Sequence, residues 1–161
     1  MATRPAIYLY TDGASSGNPG PGGWAAVLVC GTRRLELSGA FALTTNNRME
    51  LLAVIRGLEA IKWEGADVEV WSDSQYVVKA VTEGWLDSWI AKKWQKVKNP
   101  DLWQRFVQLR GRFSLTFHWI KGHAGHPENE RCDALAVAAY KAGGLPDDPG
   151  YAGRNDELKL L

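Results

Sequence analysis

The period of apolar positions changes several times along the chain, and each change marks an element. Ile7-Tyr8-Leu9-Tyr10-Thr11 is β-prone and ends at Asp12-Gly13, which predicts a strand running into a turn. The stretch from Gly13 to Gly23 is rich in Gly, Ser, Asn and Pro and reads as a loop. Trp24 to Cys30 and Arg34 to Phe41, separated at Gly31-Thr32, read as a hairpin. A helix follows, capped by Asn46 or Asn47, with an apolar face of Met49, Leu52, Ala53, Ile55 and Leu58, ending near Lys62. Val68-Glu69-Val70-Trp71-Ser72 predicts another strand, and Asp73-Ser74 both ends it and opens the next helix. Gln75 to Gly111 lacks strand patterning and reads as two or three helices broken at Asn99-Pro100, with Asp101 as a cap. Leu115 to Ile120 is the last strand and Lys121 to His126 a flexible loop. Pro127 suits the first turn of a final helix running to about Lys141. From Gly143 onward Gly, Pro and Asp predict an irregular or mobile tail, so that residues 1–142 form the domain and 143–161 the tail.

The order β-β-β-α-β-α-α-α-β-α implies an α/β fold. Its sheet is mixed, an antiparallel meander extended by strands that arrive through helical crossovers, with helices over at least one face. The length of 161 residues suits one domain with a single core. An apolar content of 45% and a charged content of 23% are ordinary for a soluble globular protein. No apolar run approaches the roughly 18 residues of a membrane span, and Met1 to Pro5 leads straight into the first strand without a signal-peptide core. Cys30 and Cys132 are far apart and lack metal-site spacing, which fits two reduced thiols in the cytoplasm. The net charge of +1 is uninformative, but its distribution is not. From Lys79 to Lys121 nine Lys/Arg stand against three acids, Glu83, Asp87 and Asp101.

Four acids carry the candidate chemistry. Asp12 and Asp73 each end a β-prone run, where a carboxylate can face solvent or cap a helix. Glu50 and Asp133 lie in the early turns of apolar helices, where an acid is favoured by the helix dipole. Each therefore has a structural explanation when taken alone. In a mixed sheet with crossover helices, however, two strand ends and two helix starts can meet at one edge. Four carboxylates gathered there repel unless a cation is bound. An oxygen-only donor set favours Mg²⁺ or Mn²⁺ over zinc, and a pair of such ions about 4 Å apart suits in-line displacement at a phosphodiester.

Several blocks together resemble the bacterial ribonucleases HI, the type 1 ribonucleases H. They are Tyr10 to Gly13, Gly17 to Gly23, Thr44 to Glu50, Ser72 to Val77, Asn99 to Trp103 and Lys121 to Asp133, in the family's order from residue 7 to about 142. The resemblance implies a ribonuclease H-like fold with a five-stranded mixed sheet flanked by helices. It implies endonucleolytic hydrolysis of the RNA strand of an RNA–DNA hybrid, leaving 5′-phosphate and 3′-hydroxyl ends, in the removal of RNA primers and R-loops. Asp12, Glu50, Asp73 and Asp133 would hold two Mg²⁺ ions, one serving the attacking water and one the leaving 3′ oxygen, with Mn²⁺ a possible substitute. His123 matches the family's mobile-loop histidine, which assists proton transfer or product release. His118 and His126 keep structural readings. The protein is expected to act as a monomer, away from membranes.

A hybrid nuclease must tell 2′-hydroxyls from deoxyribose without reading bases. Asn18, Asn46, Asn47 and Gln75 match substrate-contacting positions of the family, and Thr45 and Arg48 are candidates for phosphate contact. Trp85, Trp89 and Trp94 alternate with Lys92, Lys93, Lys96 and Lys98, matching the basic protrusion with which the family grips the DNA strand. The segment between Trp94 and Asn99 is several residues shorter than in well-known members, so a trimmed handle is expected. Two rivals are a binding module of the same fold that has lost catalysis, and a resolvase or integrase core. The first would not keep all four acids, and the second usually lacks the Asn-Pro-Gly loop together with the His-Ala-Gly-His-Pro block.

Overall fold

The computed structural model describes residues 4–122 and 125–151. The first strand, β1 (Ile7–Ser15), runs through Asp12-Gly13 instead of stopping there. It pairs antiparallel with β2 (Gly20–Cys30), which pairs antiparallel with β3 (Arg33–Thr44). The segment from Gly13 to Gly23 is thus mostly strand and not loop, the connection being 16–19. Gly13 and Gly23 stand where helix backbone, at Glu50 and Ala136, presses on the sheet, whereas Gly17, with φ +85°, serves the turn itself. Helix α1 (Asn46–Glu59) follows, then β4 (Ala66–Ser72), which joins β1 in parallel. Three helices, α2 (Gln75–Thr82), α3 (Trp85–Ala91) and α4 (Pro100–Arg110), lead to β5 (Phe113–Trp119), parallel to β4. Helix α5 (Pro127–Lys141) comes last. The five-stranded sheet has the order β3-β2-β1-β4-β5, with the element order and mixed pairing that the sequence predicts.

Alternation along β2 shows how the layers divide. Trp24, Ala26 and Leu28 face the larger core beneath α1, α2 and α4, while Ala25 and Val27 face Cys132 and Ala136 of α5. Helices therefore cover both faces, which is why β2 is buried almost continuously from Gly20 to Val27. Large rings fill the main core, where Trp103 meets Trp89 and Phe106 edge-on.

Local chemistry sets the helix starts. Thr45, not Asn46 or Asn47, is the cap of α1: its hydroxyl accepts from the Arg48 N–H. Ser74 caps α2 in the same way through the Val77 N–H. Asn99, not Asp101, stands at the cap position of α4, in a left-handed conformation ahead of Pro100. Asp101 is left free to pair with Arg48. The expected irregular tail is fastened to the domain as far as it is described. The Ala42 N–H donates to the Pro146 carbonyl, and Asp148 is buried. Residues 152–161 lie outside the described residues.

Candidate active site

Parallel pairing of β1 and β4 places Thr11 opposite Ser72, so Asp12 and Asp73 emerge side by side at the same end of the sheet. Helix α1 delivers Glu50 to this point. Its close approach depends on Gly13, where a Cβ would overlap the backbone of Met49 and Glu50. The Gly13 N–H donates to Asp12 Oδ1 at 2.9 Å and to Glu50 Oε1 at 3.0 Å, one amide steadying two acids. Carboxylate oxygens of Asp12, Glu50 and Asp73 all lie within 4.8 Å of one another. Asp133, on α5, lines the same cleft but stands outside this tight group.

The group is electrostatically frustrated. Asp12 and Glu50 are each only 4% exposed. Burial pushes the Asp12 carboxyl up to about 8; a hydrogen bond with Glu50 opposes this, and the charges of Asp73 and Asp133 add to it. Burial also holds Glu50 well above the usual carboxylate range, reinforced by the charges of Asp12 and Asp73. No N–H or hydroxyl of the described residues reaches the buried Glu50 Oε2. An orphaned buried oxygen, hard donors only and an open polar cleft of about 460 Å³ fit a divalent cation of the magnesium kind. Without one, protons must do part of that work.

The RNase H family model matches residues 4–141. The chain belongs to the RNase H family. It is 52% identical over 150 residues to the ribonuclease H of Nitratidesulfovibrio vulgaris strain DP4, covering 90% of this chain and 96% of that one. It is 55% identical over 147 residues to the ribonuclease H of Desulforamulus reducens, covering 88% and 92%. Among solved structures it resembles LC9-RNase H1, a type 1 RNase H with the type 2 active-site motif, at a TM-score of 0.78 and 31% identity over 92% of this chain and 80% of that one. It also resembles LC11-RNase H1 in complex with an RNA/DNA hybrid, at a TM-score of 0.60 and 30% identity over 84% and 96%. The chain is accordingly a nuclease, and its expected fold is the observed one.

Within this ribonuclease H the substrate-side candidates divide. Asn46 and Asn47, from α1, and Gln75, from α2, line the carboxylate cleft on its two sides. Asn18 lies beside them, its Oδ1 accepting from the Asn46 N–H at 3.1 Å. Thr45 is half-buried with its hydroxyl engaged as the cap. Lys92 and Lys93 are exposed. The three tryptophans are not equivalent: Trp85 is 40% exposed, whereas Trp89 and Trp94 are half-buried against the core. His123 lies outside the described residues.

Arg48 is a correction. As a phosphate contact it would have to reach solvent, yet it is 1% exposed. Its five N–H groups are all taken: Nε and Nη2 by Asp148, Nη1 and Nη2 by Asp101, and Nη1 also by Asn99 Oδ1. No donor is left for a phosphate. Sequence reasoning also passed over Ser74 and Tyr76, which line the cleft beside Gln75. Their signal was present, since both belong to the Ser72-to-Val77 block.

Proposed function

We propose that this ribonuclease H is an endonuclease that hydrolyses the RNA strand of RNA–DNA hybrids with two divalent ions, Mg²⁺ or in its place Mn²⁺. The observation that carries this reading is the trio of Asp12, Glu50 and Asp73 at the floor of a cleft walled by amide side chains. The hybrid bound to LC11-RNase H1 supports the substrate. Asp12, Glu50 and Asp73 would hold the ions, with Asp133 completing the set from α5. When bound, the ions supply Lewis acidity at the scissile phosphate and favour ionised water at neutral pH.

The chain's own residues do the rest. Asp12 and Glu50, steadied by the Gly13 amide, would hold the cations against β1 and α1. Asn46, Asn47, Gln75 and Asn18 present neutral amides to sugar hydroxyls and base edges in a minor groove, which tolerates any base sequence. Thr45 can add a phosphate contact from the same helix start. Lys92 and Lys93, with the exposed Trp85 and the flanking Trp89 and Trp94, would grip the DNA strand. His123 would pass a proton to the departing 3′ oxygen or speed product release. Products carry 5′-phosphate and 3′-hydroxyl ends, and the task suited to a monomer of this kind in the cytoplasm is removal of RNA primers and R-loops.

The test compares hybrid, double-stranded RNA, single-stranded RNA and duplex DNA at matched concentrations, with Mg²⁺ and with EDTA. Cleavage confined to the hybrid's RNA strand, dependent on metal and lost in Asp12→Asn, is expected. Comparable cutting of duplex DNA would sink the proposal and favour a resolvase-like activity; binding without cleavage would point to a catalytically silent module.

A further inference from the structure

The cleft has two walls on different helices. Asn46 and Asn47 belong to the first turn of α1, and Ser74, Gln75 and Tyr76 to the start of α2. A continuous polar chain joins these walls from behind and begins in the C-terminal segment. Asp148 accepts from the Thr44 hydroxyl at 2.6 Å and from Arg48 Nε at 2.7 Å. Arg48 Nη1 donates to Asn99 Oδ1 at 3.3 Å. Asn99 Nδ2 donates to the Tyr76 hydroxyl at 3.2 Å, and Trp103 Nε1 donates to the same oxygen at 2.8 Å. Arg48 and Asn99 are buried, and Trp103 is fully so. The segment is seated tightly, since a Cβ at Gly150 would overlap Asp101 Oδ2 and Arg48 Nη2.

We infer that Asp148 is a positioning residue: through Arg48, Asn99 and Tyr76 it sets the separation of the two cleft walls and thereby the fit of the nucleic acid. The carboxylate floor has further holds of its own, the Gly13 amide and the β1–β4 pairing. Loosening the chain should therefore weaken substrate capture more than turnover. The inference rests on the proposed hybrid cleavage, and the wild-type assay tests that first.

The experiment measures kcat and KM on a hybrid for wild type, Asp148→Asn, Tyr76→Phe and the double variant, each assayed well below its own Tm. Asp148→Asn keeps the side-chain shape and Tyr76→Phe removes only the shared hydroxyl, so the second remains informative if the first folds poorly. Glu59→Gln is the control. It breaks the ion pair to Arg105, which also joins α1 to α4 but leads nowhere near the cleft. The expected result is a KM raised about three- to tenfold in each single variant with kcat within about twofold. The double variant should be no worse than the weaker single, because both act along one chain. Glu59→Gln should leave KM unchanged. A lowered Tm with KM unchanged in both singles, or effects that multiply in the double, would overturn the inference. If wild type fails to cut the hybrid, it is the functional proposal that falls.

Discussion

Glu50 and Arg48 sit two residues apart on α1, are almost equally buried, and meet opposite fates. Arg48 enters a cluster of opposite charge, Asp101 and Asp148, in which every guanidinium N–H has an acceptor. Glu50 enters a cluster of like charge, with Asp12 and Asp73, in which one of its oxygens has no N–H or hydroxyl donor among the described residues. The first cluster is complete within the protein. The second is incomplete, and burial with mutual repulsion holds protons on it. Buried charge that the protein satisfies is structure; buried charge that it leaves unsatisfied awaits a ligand.

The largest expected effect comes from breaking the incomplete cluster. Asp12→Asn keeps an acceptor for the Gly13 amide but removes a proposed cation ligand, and should lower kcat by about a thousandfold or more, measured on a hybrid at saturating Mg²⁺. Without metal the same change should stabilise the fold. The Asp12 pKa of about 8 lies above its ordinary 3.8, so the folded protein holds a proton that the unfolded chain has released. That contribution is complete at low pH and is lost as pH rises towards 8. Metal-free wild type should therefore lose stability across this window. Asp12→Asn should lose less and gain about 1–2 kcal/mol at pH 8 in denaturant titrations.

The complete cluster should respond in the opposite sense. Arg48→Met leaves Asp148 buried without its cation and should cost about 3–5 kcal/mol of stability. Equilibrium denaturation in EDTA would check it; a loss below about 1 kcal/mol would mean that the cluster is not the fastening it looks to be. A smaller effect is expected where charges are exposed and paired with neither cluster. Lys92→Ala with Lys93→Ala should leave kcat nearly unchanged and flatten the salt dependence of hybrid binding by about two phosphate contacts. An unchanged slope removes α3 and its following loop from the binding surface.

The same contrast marks what could be read from the sequence. Hydrophobic period disclosed the order of the elements but left open whether two or three helices fill Gln75 to Gly111, and the resemblance picked out all three acids of the tight group. Local composition misled where glycine serves packing: Gly20, Gly22 and Gly23 read as loop but lie in β2. The cap of α1 was ambiguous because Thr45, Asn46 and Asn47 can each cap, and only backbone geometry selects Thr45. Arg48 reads as a cation facing substrate because its neighbours Asn46, Asn47 and Glu50 line the cleft. Its partners lie 53 and 100 residues away, a separation that no local pattern conveys. Asp148 was hidden for the same reason within a stretch whose composition says tail. Trp85 and Trp89 share a helical spacing yet divide into one exposed and one packed ring, because the core, not the helix, decides which is covered.

Calorimetric titration of the metal-free protein with Mg²⁺ at pH 7, in two buffers of different ionisation enthalpy, probes the unsatisfied cluster most directly. Release of protons on binding is predicted, because the cation displaces those that burial holds on Asp12 and Glu50, and the release should diminish in Asp12→Asn. Mg²⁺ binding without proton release, and equally strong in Asp12→Asn, would contradict the account.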